Sequence, residues 1–404
     1  MQTTLIVGII VLTGFIFGEI ATKVRLPKVT GYILAGVLLN PSLFGLMPQD
    51  FVDRTGFATN ISLAFITFSV GGTLFWPKVR KLGKGILYIT FFEAECAFLA
   101  VILGFLAITP IFVTSGNISW FATFIPLSIL VGCLGSPTDP SATLAVKEEY
   151  KAKGKVSSTI MGAAAFDDVL GIINYSLAIV ISAAFILHKG FDPLVTVGSP
   201  VLVIAGSVLL GAAVGFVFNY VTGFFRSDSD GALIVLVLGI LSVAFGLAAL
   251  LKVDQLLAIM VSGIVVVNFN GKRKQIFSLL ERYIDELIFI FFFTLSGMHL
   301  NFSVLRTSMV LVLFFVVFRA FGKVLGTRIG ATLANSPDKV KRYVAGGLIP
   351  QGGIVIGLAL MIKQNPAFSG IADIVITVII GATVIHELIG PVLAKMVLKR
   401  AGEI

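Results

Sequence analysis

Long, almost uninterrupted apolar segments dominate this chain and restrict the folds that it can adopt. About 20 apolar residues are needed for one α-helix to cross the hydrocarbon core of a bilayer. Hydrophobic residues make up 57% of the chain and charged residues 13%, whereas a soluble domain carries about 25% charge. The segments lack the alternation of polar and apolar residues that is typical of membrane β-barrels. The sequence therefore predicts an all-α membrane protein.

Hydropathy predicts thirteen transmembrane helices within a single transmembrane domain that covers residues 1–404. The first segment lacks the basic start and the small-residue cleavage site of a signal peptide, so we interpret it as a span. The predicted spans lie near 3–20, 28–40, 57–75, 86–109, 120–149, 157–187, 200–222, 231–251, 254–268, 283–300, 303–332, 342–362 and 369–398.

The distribution of basic residues predicts the orientation of these spans. The connections on one side carry 23 of the 30 Lys and Arg residues, and those on the other side carry five. Because cytoplasmic loops are enriched in Lys and Arg, the N-terminus is predicted outside and the C-terminus in the cytoplasm. The net charge of +9 is thus explained by topology, and it gives no reason to expect a nucleic-acid partner.

Two adjacent carboxylates interrupt the sixth predicted span, in the segment "GAAAFDDVLGII". Asp167 and Asp168 lie about ten residues into the helix, or roughly 15 Å, which is close to the middle of the membrane. Ionisable residues at that depth are rare and mark functional sites by default. Neighbouring residues differ by about 100° around a helix, so the two side chains face different surroundings. One can face an ion path while the other faces a partner on an adjacent helix.

Other charged residues within spans are candidates for that partner. Arg319 and Lys323 lie four residues apart in "VVFRAFGKVLG" and share a helix face. Glu93 is predicted to act as a charge-compensating residue. Pairing of one basic residue with Asp167 and of the other with Glu93 is a hypothesis, and the sequence leaves open which pairs with which.

Two spans contain helix-breaking segments. "GSPTDPSAT" at 135–143 and "GLIPQGGIVIG" at 347–357 lie in the fifth and twelfth predicted helices, seven apart. Paired broken helices in corresponding halves are typical of transporters with inverted repeats. We therefore predict crossed broken helices, a first six-helix repeat over about 1–188, a linker helix at about 200–222 and a second repeat over about 231–400. The residues predicted to form the breaks are Pro137, Pro140, Pro350, Gln351, Gly352 and Gly353.

The order and spacing of several motifs resemble the monovalent cation:proton antiporters, in the branch with paired aspartates on the sixth helix. The motifs are "LPKVTGYILAGVLLNPS", "FITFSVGGTLF", "SPTDPSATLAV", "FDDVLG", "FRAFGKVLG", "LIPQGGIVIGLAL" and "HELIGP", and they extend over nearly the whole chain. Each motif alone is weak, but together they are specific.

The resemblance implies a role for several residues. Asp168 corresponds to the main cation and proton carrier, and Asp167 to a carboxylate that pairs with a basic residue, for which Lys323 matches better than Arg319. Thr138 and Asp139 match the family's crossover motif. The resemblance also implies a homodimer in the inner (plasma) membrane of a prokaryote, and no cofactor beyond the transported Na⁺ and H⁺.

We expect the protein to exchange a monovalent cation for protons, which compete with it for the same buried carboxylates. Na⁺ is the favoured cation, and Li⁺ is a second candidate. Asp168, Asp167 and Thr138 would supply oxygen ligands to Na⁺, a hard cation. Coupling of Lys323 to Asp167 would permit two protons per cation, which makes transport electrogenic. K⁺/H⁺ exchange remains an alternative. A cation channel is a less favoured alternative. An intramembrane aspartyl protease is also disfavoured, because Asp168 lacks the "GxGD" context of such proteases. The chain is therefore not expected to be an enzyme.

Overall fold

A computed structural model describes residues 3–404 apart from 25, 27, 45–46, 82, 114–118, 140–142, 144–145, 148–149, 189–192, 225–228, 301 and 352. Within these residues all regular secondary structure is helical, and no strand is present. This confirms the prediction of an all-α protein.

The longer helices are numbered in chain order: α1 (Thr3–Lys23), α2 (Lys28–Leu38), α3 (Gly56–Thr73), α4 (Gly83–Phe112), α5 (Ile125–Cys133), α6 (Lys155–His188), α7 (Pro193–Phe224), α8 (Asp230–Leu250), α9 (Gln255–Phe269), α10 (Asp285–Met298), α11 (Phe302–Leu333), α12 (Asp338–Gly347), α13 (Gly353–Gln364) and α14 (Ala372–Ala401). Short helical segments occur at Pro41–Phe44, Gln49–Asp53, Trp76–Lys81, Trp120–Phe124, Arg273–Leu279, Leu280–Ile284 and Pro366–Phe368.

Seven helices in the described part of the chain are long and apolar enough to cross a membrane. They are α1, α4, α6, α7, α8, α11 and α14, and each overlaps a predicted span. In the described residues, five of the other six predicted spans contain shorter apolar helices, such as Gln255–Phe269. The span near 57–75 contains the 18-residue helix Gly56–Thr73. The count of thirteen crossings therefore stays a prediction.

Two predicted spans are interrupted near the middle of the bundle. In the fifth, α5 ends at Cys133 and the chain leaves the helical path through Pro137 to Asp139. In the twelfth, α12 ends at Gly347 and α13 begins at Gly353. Proline lacks the amide hydrogen that a helix interior needs, which explains why these segments break where they do. Pro140 and Gly352 lie outside the described residues.

Helix α11 lies directly against α4, and three glycines permit this approach. Gly322, Gly326 and Gly330 recur every four residues along α11, and an added Cβ at each would collide with the backbone of α4. Small residues at such spacing let helix backbones approach closely in membranes. The contact brings the basic residues of α11 beside Glu93 on α4.

We predict that Gly326→Ala destabilises the protein, because the new methyl group would overlap the backbone of Phe92 and Glu93. Overpacking of this kind costs about 1–3 kcal/mol. Thermal unfolding of the purified protein in detergent measures the effect. Gly239→Ala on α8 is the matched control, because an added Cβ there meets nothing within 4 Å. Equal melting temperatures for the two variants would contradict this account of the α4–α11 contact.

Candidate functional site

The Lys323 side chain is fully buried at the centre of the bundle and contacts four oxygen-bearing groups. Its Nζ atom lies 2.5 Å from Glu93 Oε2 and 3.3 Å from Asp167 Oδ2. It also donates to Thr138 Oγ1 at 2.8 Å and to the carbonyl oxygen of Ser136. Helices α4, α6 and α11 and the first helix break therefore meet at one ammonium group.

The ion pairs of Lys323 answer the question that the sequence left open. Both Glu93 and Asp167 pair with Lys323, and all three side chains are inaccessible to solvent. Two carboxylates therefore share one ammonium group. A buried charge that loses its partner costs several kcal/mol, so the loss of any one of these three charges would destabilise the other two.

Arg319 lies one turn earlier on α11 and contacts backbone carbonyls, so the hypothesis that it pairs with one of the two carboxylates is wrong. Its Nε donates to Gly135 O at 2.9 Å, its Nη2 donates to Pro137 O at 2.6 Å and its Nη1 donates to Ile349 O. These carbonyls belong to both helix breaks. Because the C-terminal ends of helices carry partial negative charge, a cation between two such ends stabilises both.

The two helix breaks also exchange hydrogen bonds directly. Thr138 Oγ1 donates to Leu348 O at 3.2 Å, and Gln351 Nε2 donates to Leu134 O at 2.6 Å. The backbone N–H of Asp139 donates to Pro350 O at 3.1 Å. Each break thus satisfies carbonyl groups that the other break frees, as the interior of a membrane requires.

Helix α6 presents a polar face to this crossing. Asp167, Gly171 and Asn174 follow one another at the i, i+4, i+7 spacing of a single face. Gly171 lies against the ring of Pro137, where a Cβ atom would collide. Asn174 Nδ2 donates to Ser136 Oγ at 3.1 Å and to Glu95 Oε1 at 3.2 Å. This face holds α6 against the first break.

Asp168 lies on the neighbouring face of α6 and differs from Asp167 in its surroundings. Asp167 is fully buried, whereas Asp168 is partly exposed. The shielded Oδ1 atom of Asp168 accepts no hydrogen bond from the residues that the structure describes. Asp167 Oδ1 likewise has no hydrogen bond among the described residues, but Asp167 Oδ2 lies 3.3 Å from Lys323 Nζ. Both carboxylates therefore retain one oxygen with free ligand capacity, and they differ in burial.

The structure therefore brings Glu93, Thr138, Asp167 and Lys323 into direct contact and places Arg319, Asp139 and Gln351 at the adjacent crossing. Three further residues contribute to this crossing and are not predicted by the sequence analysis. Ser136, Asn174 and His386 are polar residues within apolar spans, and that signal could have identified them. His386 Nδ1 lies 3.1 Å from Gln351 Oε1.

Across the described residues, no three His, Cys, Asp or Glu side chains form a group that could hold a metal ion. A cation at Asp168 would therefore need hydroxyl, carbonyl or water oxygens to complete its shell. Carboxylates with such mixed oxygen partners suit hard cations. Carboxylates bind protons as well as cations.

Comparison with known proteins identifies similar chains. The family model for the transmembrane sodium/hydrogen exchanger matches residues 8–400. The Na⁺/H⁺ antiporter NhaP of Pseudomonas aeruginosa is 26% identical over 349 residues, which are 80% of this chain and 74% of that protein. The ammonium/H⁺ antiporter subunit AmhT of Alkalihalophilus pseudofirmus is 24% identical over 90% of this chain and 88% of its own.

The fold also resembles that of solved structures. The sodium proton antiporter MjNhaP1 from Methanocaldococcus jannaschii, solved at pH 8, superposes with a TM-score of 0.77. The match covers 98% of this chain and 97% of that one, at 19% sequence identity. At that identity the similarity establishes a common fold.

We predict that Lys323→Met strongly destabilises the protein, because two buried carboxylates lose the cation with which they both pair. Removing one partner of a buried ion pair costs about 3–5 kcal/mol. Thermal unfolding in detergent measures the loss, and adding Glu93→Gln should recover part of it. Lys341→Met is the control, because Lys341 pairs with exposed Asp338 and surface pairs contribute little. Equal stability of Lys323→Met and Lys341→Met would refute this reading of the cluster.

Proposed function

The chain belongs to the sodium/hydrogen exchanger family, whose members are transporters and not enzymes, and from this premise we propose that exchange takes place at Asp168 and Asp167. The exchanged species are a monovalent cation and protons. The observation that carries the assignment is the contrast between the two carboxylates. Asp167 is fully buried against Lys323, while Asp168 is partly exposed; within the described part of the chain, each has one oxygen with no hydrogen-bond donor.

Competition at Asp168 would couple the two fluxes. A carboxylate that leaves water binds either a proton or a cation to neutralise its charge, and it cannot hold both well. Na⁺ would be coordinated by Asp168, with Asp167 and Thr138 as further oxygen ligands beside it. Thr138 already lies between Lys323 and the second helix break. Release of one species then favours binding of the other.

The Lys323 cluster would provide the second exchangeable proton. Cation binding at Asp167 weakens the pull of that carboxylate on Lys323, which lies 3.3 Å away. Loss of a proton from the cluster would then accompany cation binding. Two protons per monovalent cation make the cycle electrogenic.

The architecture that we propose has thirteen crossings, with two inverted six-helix repeats joined by α7. The reciprocal contacts of the two breaks support it, since Thr138 contacts Leu348 and Gln351 contacts Leu134. Alternating access would come from movement of α4–α6 and α11–α14 against the other helices. The N-terminus would lie outside and the C-terminus in the cytoplasm of a prokaryotic cell, and the protein would be a homodimer in the plasma membrane.

K⁺/H⁺ exchange is the main alternative to Na⁺/H⁺ exchange. The GerN protein of Bacillus cereus, 20% identical over 96% of this chain, is named a Na⁺/H⁺-K⁺ antiporter, and AmhT carries ammonium in its name. We propose Na⁺ because the ligands are hard oxygen donors. A K⁺/H⁺ exchanger could use the same residues with a wider shell.

We predict that Asp168→Asn abolishes cation-dependent proton exchange, because the amide can neither carry a proton nor neutralise a cation. The assay uses proteoliposomes loaded with a pH-sensitive dye and pulses of Na⁺, Li⁺, K⁺ and NH₄⁺. Asp373→Asn is the matched control, since Asp373 pairs with Lys363 at 3.3 Å and is half exposed. Full exchange by Asp168→Asn would refute the assigned site, and the cation series identifies the transported ion.

We further predict that a membrane potential changes the exchange rate, because an electrogenic cycle moves net charge across the bilayer. One elementary charge across 100 mV corresponds to about 2.3 kcal/mol. Proteoliposomes with a K⁺ gradient and valinomycin set the potential while Na⁺-driven proton movement is recorded. A rate that is independent of voltage would exclude the proposed two-proton stoichiometry.

A further inference from the structure

His386 lies at the helix crossing but has no part in the exchange chemistry described above. It is located on α14 and is fully buried. Its Nδ1 atom lies 3.1 Å from Gln351 Oε1, and its ring packs edge-on against Phe315, with ring centroids 6.4 Å apart. Gln351 in turn donates from Nε2 to Leu134 O at 2.6 Å. A chain of contacts therefore runs from α14 through the second break to the first.

The direction of these hydrogen bonds follows from the chemistry of the groups. The carbonyl of Leu134 can only accept, so the amide nitrogen of Gln351 faces it and the amide oxygen faces the imidazole. That oxygen also only accepts, so Nδ1 of His386 must carry the proton. Among the residues that the structure describes, the buried Nε2 atom has no hydrogen-bond partner. A proton on Nε2 would leave an unsatisfied buried donor, so the ring is the neutral Nδ1–H tautomer.

The same arrangement occurs at the first break with different residues. There Lys323 Nζ donates to Thr138 Oγ1, and Thr138 donates to Leu348 O. At the second break His386 donates to Gln351, and Gln351 donates to Leu134 O. Each break is thus held by a donor from a neighbouring helix, through one polar side chain, onto a carbonyl of the other break. His386 is the neutral counterpart of Lys323.

We propose that His386 is a positioning residue for cation exchange. Its Nδ1–H holds the Gln351 amide in the orientation that donates to Leu134 O, and this bond sets the spacing of the two breaks beside the cation site. Leu134 lies four residues before Thr138, so a shift of its carbonyl is transmitted to the predicted ligands. The proposal rests on the proposed function, because it assigns His386 to the affinity of that site.

Three substitutions of His386 separate hydrogen bonding from packing. Asn places its amide nitrogen close to the position of Nδ1 and keeps a donor toward Gln351. Gln places its amide group close to the position of Nε2, away from Gln351. Leu fills space beside Phe315 but offers no donor. Thr383→Val is the matched control, because Thr383 lies one turn earlier on α14, is equally buried and has an unpartnered hydroxyl.

We expect His386→Leu and His386→Gln to raise the KM for the transported cation about tenfold, because Gln351 Oε1 loses its donor. The maximal rate should change less, since Asp168 and Asp167 are intact. His386→Asn should stay within about twofold of the unsubstituted protein, as should Thr383→Val. Proteoliposome exchange over a range of cation concentrations gives both constants. An unchanged KM for His386→Leu, or a His386→Asn variant as impaired as His386→Leu, overturns the proposal.

A second measurement tests the contact between His386 and Gln351 without any transport assay. Melting temperatures in detergent are compared for His386→Leu, for Gln351→Leu and for the double variant. If His386 acts through Gln351, the loss caused by His386→Leu becomes smaller in the Gln351→Leu background. If the decreases in melting temperature of the two single variants add up in the double variant, the proposal is overturned, whatever the exchange assay shows. Failure of all variants and of the unsubstituted protein to exchange any cation would instead refute the proposed function, while this cycle still tests the contact.

Discussion

The structure depends on two buried cations that compensate for interrupted helices. A broken helix inside a bilayer leaves carbonyl groups without partners and exposes partial charges at its ends. Arg319 contacts carbonyls of both breaks, and Lys323 contacts the first break and two carboxylates. Both side chains are completely buried. Without them the crossing would carry uncompensated dipoles, and Glu93 and Asp167 would carry uncompensated charge.

The close contact of α4 and α11 makes this compensation possible. Glycines at three successive turns of α11 remove the side chains that would separate the two helices. Lys323 lies next to Gly322 and three residues before Gly326, so its ammonium group reaches Glu93 on α4. Apolar packing and charge pairing are therefore not separate contributions here. The small residues determine the distance over which the buried ions interact.

Much of the candidate site could be predicted from the sequence because membrane burial makes every polar residue conspicuous. Asp167, Asp168, Arg319 and Lys323 stand out as charges within apolar spans. Proline within an apolar span predicts a break without reference to other helices. His386 and Asn174 are less conspicuous, because an uncharged polar residue in a membrane helix often has only a local hydrogen bond. Their partners, Gln351 and Ser136, lie on other helices.

The sequence by itself determined the class of fold, the location of the breaks and the separation of the two aspartates onto different faces of α6. These properties follow from local geometry and from the cost of placing polar groups in lipid. Only the tertiary structure decided that Lys323 pairs with both Glu93 and Asp167, while Arg319 donates to carbonyls of both helix breaks. The two residues share a helix face and a positive charge. They are offset by one turn along α11, which places Lys323 at the carboxylates and Arg319 between the helix ends. This offset determines their different partners only once the neighbouring helices are in place.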